Sequence, residues 1–105
     1  MLLTVVIESN QYTIDIPDSV LTEAESFFNT MDQNMSKGWQ MDRVWVTEPS
    51  TLQRCQIAAS KLADAIATGN ETMAHLASGY ILTKMPDVTM IQINTEGEMQ
   101  ETRFM

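Results

Sequence analysis

Cys55 and His75 are the only cysteine and the only histidine in the chain. Together they are the residue types of a thiol nucleophile and its base. Their placement argues against that use. Residues 51–68 and 71–85 read as two helices joined at Gly69-Asn70. In an antiparallel hairpin closing there, His75 faces the neighbourhood of Asp64, and Cys55 faces that of Lys84. The offset is about nine residues, or about 14 Å at a rise of ~1.5 Å per residue, far beyond a hydrogen bond. Cys55 also falls on an apolar stripe, where a thiol packs as a small hydrophobe. One Cys with one His falls short of a closed zinc site, and a single Cys forms no internal disulfide.

Nine methionines offer a second chemistry. Thioethers are soft ligands suited to copper(I). Met31 and Met35 lie one helical turn apart and can share an ion. No third sulfur lies beside them in sequence, and both continue the apolar stripe begun by Phe27. Core packing, or an adaptable contact surface, is the expectation for them. Copper or small-ligand binding through Met31 and Met35 is the alternative.

The carboxylates Asp15, Asp18, Glu23 and Glu25 gather near one helix start, and Glu96, Glu98 and Glu101 line the C-terminal segment. None has the alternating oxygen pattern of a calcium loop. An acidic DNA mimic, occupying a basic cleft in place of phosphates, is a third reading. The glycines Gly38, Gly69, Gly79 and Gly97 are isolated, so no phosphate-cradling loop forms. No catalytic residue and no cofactor is expected.

The richest binding chemistry lies between Lys37 and Arg54. That segment holds both tryptophans and half of the six basic residues. Trp39, Met41, Arg43, Trp45 and Arg54 are the partner-binding candidates, because Trp and Arg are enriched at interface hot spots. The competing expectation is that both indoles cap the core while Arg43 pairs with Asp42 or Glu48.

The elements that must position these residues follow from hydrophobic periodicity. Leu3, Val5 and Ile7, then Tyr12, Ile14 and Ile16, alternate at period two around a polar turn at Ser9-Asn10-Gln11 and predict a β-hairpin. Pro17 ends it, and Asp18 is the expected N-cap of a helix running to about Lys37. Val20, Ala24, Phe27, Met31 and Met35 form its stripe, and Gly38 stops it. Val44–Val46 has room for a short strand. Ser50 and Gln53 have capping-box spacing ahead of a helix carrying Leu52, Cys55, Ala59, Leu62 and Ile66. Gly69 ends that helix and Asn70 caps the next, which runs to Pro86. Gly79 inside the last helix predicts a close approach to its alanine-rich neighbour. Val88–Ile93, apolar on both faces, predicts a central strand.

The chain has 105 residues and a net charge of −8, with 44% apolar and 19% charged residues. That composition fits one globular domain over 1–93, with a polar, acidic, frayed tail over 94–105. The fold class expected is α+β: a small antiparallel sheet, made of the N-terminal hairpin and the C-terminal strand, with three helices, two of them an antiparallel helical hairpin. The acidic balance argues against nucleic acid and anionic membrane surfaces as partners. No membrane-spanning run and no basic leader occurs, so the cytoplasm is the expected compartment. The functional expectation is a protein-interaction or regulatory module, binding another protein or itself as a homodimer.

Overall fold

Leu3 and Val5 are fully buried while Leu2, Thr4 and Val6 keep contact with solvent, the period-two pattern of a strand with one face on the core. The computed structural model describes residues 1–105 and is an α+β fold. Strand β1 (Leu2–Ile7) pairs antiparallel with β2 (Asn10–Asp15), setting Leu3 opposite Ile14 and Val5 opposite Tyr12. The turn is Glu8-Ser9, beginning one residue earlier than the polar run predicts and leaving Asn10 and Gln11 in β2. Glu8 takes φ 57°, a conformation that Gly or Asn usually supplies in such turns.

The first helix is broken. Helix α1 (Asp18–Glu23) and helix α2 (Glu25–Ser36) meet at Ala24. Asp18 lies in the first turn and caps nothing, while Pro17 holds the N-cap position. Val20 from α1 and Phe28 from α2 both pack on Gly79. A Cβ there would stand 3.1 Å from Val20 Cγ1 and 3.0 Å from Phe28 Cζ. The close approach predicted at Gly79 is real, but the neighbour is the broken first helix.

Strands β3 (Trp39–Met41) and β4 (Val44–Val46) form a separate two-stranded sheet. Helices α3 (Thr51–Thr68) and α4 (Glu71–Lys84) are the closely packed helical pair. The ends of α3 and the start of α4 follow the sequence signals. Ser50 and Gln53 make a capping box, Gly69 stops α3 at φ 70°, and Asn70 accepts a 3.1 Å bond from the Met73 amide. Leu52, placed on the buried stripe by spacing, is exposed instead. The buried face of α3 runs through Cys55, Ile57, Ala58, Ala59, Leu62 and Ala65.

The sheet is mixed. Strand β5 (Met90–Ile93) lies beside β1 in parallel register, Val5 opposite Ile91, and is central in the sheet as expected. Its burial is one-sided, with Ile91 and Ile93 buried and Gln92 exposed, so the burial on both faces that the apolar run predicts does not occur. Strand order is β2-β1-β5-β6, where β6 (Arg103–Phe104) pairs antiparallel with β5. Residues 94–105, expected to fray, are thus tied into the fold. Asn94 accepts from the amides of Glu96 and Glu98, and Thr102 is buried with its hydroxyl on the Asn94 amide at 3.1 Å. Gln56 of α3 donates to the carbonyls of Gln100 and Thr102 at 3.1 and 3.3 Å. Backbone satisfaction, which hydropathy does not register, orders this polar segment. No helix is long and apolar enough to cross a membrane.

Candidate functional site

Helix α2 stops at Gly38, whose φ of 97° reverses the chain into the β3–β4 hairpin. The hairpin turns through Asp42-Arg43, with Met41 opposite Val44. Asp42 takes the left-handed φ of 59°. Gln40 Nε2 donates 2.7 Å to the Asp42 carbonyl, and the Asp42 carboxylate accepts the Met99 amide. The first bond braces the turn from within, and the second ties the tip to the C-terminal segment.

Pairing sorts the side chains by face, because directly opposed residues share one. Trp39 with Val46 and Met41 with Val44 lie on the inner face, and Gln40 with Trp45 on the outer. Met41 is buried and belongs to the core; Trp39 is half-buried, with the Lys61 ammonium 5.0 Å from its ring centroid. Trp45 is 57% exposed, Val44 52% and Leu52 49%. The Trp45 indole lies against the Gly38 α-carbon, so closely that a Cβ at 38 would stand 2.4 Å from Trp45 Cζ2. The ring is thus in contact with backbone at Gly38 while more than half of the residue remains exposed.

Arg43 sits exposed in the hairpin turn. Arg54 is committed elsewhere: its guanidinium donates to the Pro49 carbonyl, Asp32 Oδ1 and Ser36 Oγ at 2.9, 3.1 and 3.1 Å. Of the five residues singled out by type, the hairpin brings four together. Of these, it leaves Arg43 and Trp45 exposed, with Trp39 half-buried and Met41 buried.

Spacing did not disclose the cluster around Asp32. Its carboxylate accepts from Tyr80 at 2.6 Å, from Arg54 at 3.1 Å and from Lys84 at 2.8 Å, joining α2, α3 and α4. Burial works to raise the Asp32 pKa, but the bonds from Lys84, Tyr80 and Arg54 outweigh it and hold the carboxyl below its ordinary value. Tyr80, fully buried and bonded to that carboxylate, is pushed up and stays a phenol. Cys55 is buried nearby, and desolvation lifts its thiol to about 11. Such a thiol is protonated at neutral pH and is a poor nucleophile. The only advance signal was the Tyr80/Lys84 pair at i,i+4.

Two of the surface cavities border these residues. One, of about 130 Å³, is lined by Met31, Met35 and Met73 with Phe27, Trp39 and Lys61. It supplies the third thioether that sequence proximity did not. The other, of about 290 Å³, lies among Asp42, Asp64, Glu98, Ser60 and Thr102. No group of three or more His, Cys, Asp or Glu is placed to hold a metal ion.

Compared with known proteins, the chain matches no family, no curated protein and no solved structure.

Proposed function

We propose that this chain is a non-enzymatic protein-contact module whose contact element is the β3–β4 hairpin and whose anchor is Trp45. The observation that carries the proposal is the indole of Trp45, 57% exposed yet held against the Gly38 backbone. Exposing a large aromatic forgoes its burial free energy, about 25 cal/mol for each Å² of apolar surface. Pinning the ring in advance removes part of the ordering cost that a mobile side chain meets on binding. Arg43, exposed in the adjoining turn, supplies a charged neighbour to the aromatic anchor, the two residue types enriched at interface hot spots.

The partner is another protein, in the cytoplasm. A homodimer is the symmetric case, since β4 has one unpaired edge. A non-enzymatic role is further supported by the state of the reactive groups. The one thiol and the Asp32-bonded phenol are both buried and held protonated.

Photo-crosslinking tests this. A benzophenone side chain replaces Arg43 at the hairpin tip, and a control replaces Thr13 on the four-stranded sheet. The proposal expects a discrete crosslinked protein from position 43, absent from position 13 and lost when Trp45→Ala is added. Equal crosslinking from both positions, or none from 43, refutes it.

A further inference from the structure

The cavity under Trp39 has a chemistry of its own, separate from the outer face of the hairpin. Its walls are Phe27, Met31, Met35, Met73 and the half-buried Trp39, contributed by α2, α4 and β3. Its volume of about 130 Å³ is several times the roughly 30 Å³ that one water occupies in the liquid. An apolar cavity of roughly 150 Å³ takes up a molecule the size of benzene. Methionine walls adapt to the shape of what enters, because the unbranched thioether reorients at low cost.

Lys61 decides which occupant fits. It is the one charged residue lining the cavity, and no carboxylate does so. The chain carries 14 acidic side chains, yet Lys61 forms no ion pair with any of them. Its ammonium sits 5.0 Å from the Trp39 ring centroid. A copper(I) ion among Met31, Met35 and Met73 would meet three neutral sulfurs and a neighbouring positive charge, with no anion to compensate it. An anion meets the reverse: an unpaired cation at the lip and a polarizable apolar wall behind it. Asn34, also on the lining, adds a neutral amide donor.

We propose that this cavity binds a small apolar carboxylate, its hydrocarbon part against Met31, Met35 and Met73 and its carboxylate on Lys61. The experiment is a titration of the intact protein, labelled at its methionine methyl carbons and followed by NMR, with hexanoate as the probe. Hexanamide is the uncharged isostere. The methyl signals of Met31, Met35 and Met73 are expected to shift saturably with hexanoate, with hexanamide weaker by about fivefold or more. Lys61→Gln is expected to weaken hexanoate by a similar factor and to leave hexanamide unchanged, with the spectrum of the free variant reporting an intact fold. The proposal is overturned if hexanoate produces no saturable shift in the millimolar range. Equal affinity for hexanoate and hexanamide overturns it as well. Silver(I), the stable surrogate for copper(I), moving the same three methyls at lower concentration transfers the site to a soft metal. Tighter binding of an acetylated peptide ending in leucine transfers it to a protein C-terminus. Either result rejects the free acid as the occupant.

Discussion

The Tyr80 hydroxyl donates a 2.6 Å hydrogen bond to Asp32 Oδ1, across the seam between α4 and α2. The same carboxylate holds Arg54 of α3 and Lys84 of α4, so one side chain ties three helices together. Replacing Asp32 by Asn keeps a similar shape but leaves two cations without their partner. A loss of about 2 kcal/mol is expected, below the full cost of breaking a buried pair because the site is partly open to solvent. Tyr80→Phe, which removes a single bond, should cost about 1 kcal/mol. Urea unfolding of the two variants beside the parent checks both figures.

The same carboxylate sets an acid limit. Its folded pKa lies below the ordinary 3.8, so as pH falls the unfolded chain takes up the proton first. The stabilisation is complete above the ordinary value and is lost as pH drops through the folded one. Unfolding curves should therefore show a gap between the parent and Asp32→Asn that is constant at neutral pH and shrinks below 3.8. A gap that persists undiminished in strong acid would mean the carboxylate charge is not its source.

Cys55 sets an alkaline limit of opposite sign. Burial raises its thiol from 9.0 to about 11. The unfolded thiol ionises from 9.0, so the contribution of this group is whole below that pH and is lost as pH climbs through about 11. Cys55→Ala should remove the part of the alkaline destabilisation that begins near 9.0 and leave the part belonging to Tyr80. Iodoacetamide at neutral pH should label Cys55 only in denaturant. Rapid labelling of the folded protein would contradict this account.

The helical pair α3–α4, the capping box at Ser50 and the stop at Gly69 were legible because each depends on neighbours within a few residues, whereas the break at Ala24 and the exposure of Leu52 were not. What was not legible depends on partners far along the chain. Asp32 lies among polar residues on α2, and nothing in its spacing announces Tyr80 48 positions later. The parallel register of β5 on β1 and the ordering of residues 94–105 are likewise settled by distant backbone partners. Within the hairpin, residue type selected Trp39, Met41, Arg43 and Trp45 together, but type does not say which face each takes. The alternation of the β3–β4 pairs separates the buried Met41 from the exposed Trp45, and only the Asp42-Arg43 turn fixes that alternation.

Ser78 is fully buried in α4, and its hydroxyl has no hydrogen-bond partner. A buried hydroxyl left unpaired costs more than an apolar group of the same size, and Ala favours a helix over Ser. Ser78→Ala should therefore stabilise the protein by about 1 kcal/mol, measured as an increase in the urea midpoint at unchanged slope.

Gly38 carries two constraints at once: a φ of 97° and the Trp45 indole against its α-carbon. Gly38→Ala should destabilise by about 1–3 kcal/mol, through backbone strain and overpacking. It should also dislodge the indole, seen as a change in the near-ultraviolet circular dichroism beyond that of a merely less stable protein. Retention of the parent spectrum would show that the ring is not held there.

The exposed indole of Trp45 is the centre of the functional account, and native mass spectrometry of the untagged protein from its own source tests it most directly. The account predicts a species heavier than the 11.8 kDa monomer, either a dimer or a complex with a second protein. That species should give way to the bare monomer in Trp45→Ala, while circular dichroism shows the variant folded. A parent protein found only at 11.8 kDa, or a complex that survives Trp45→Ala intact, would contradict it.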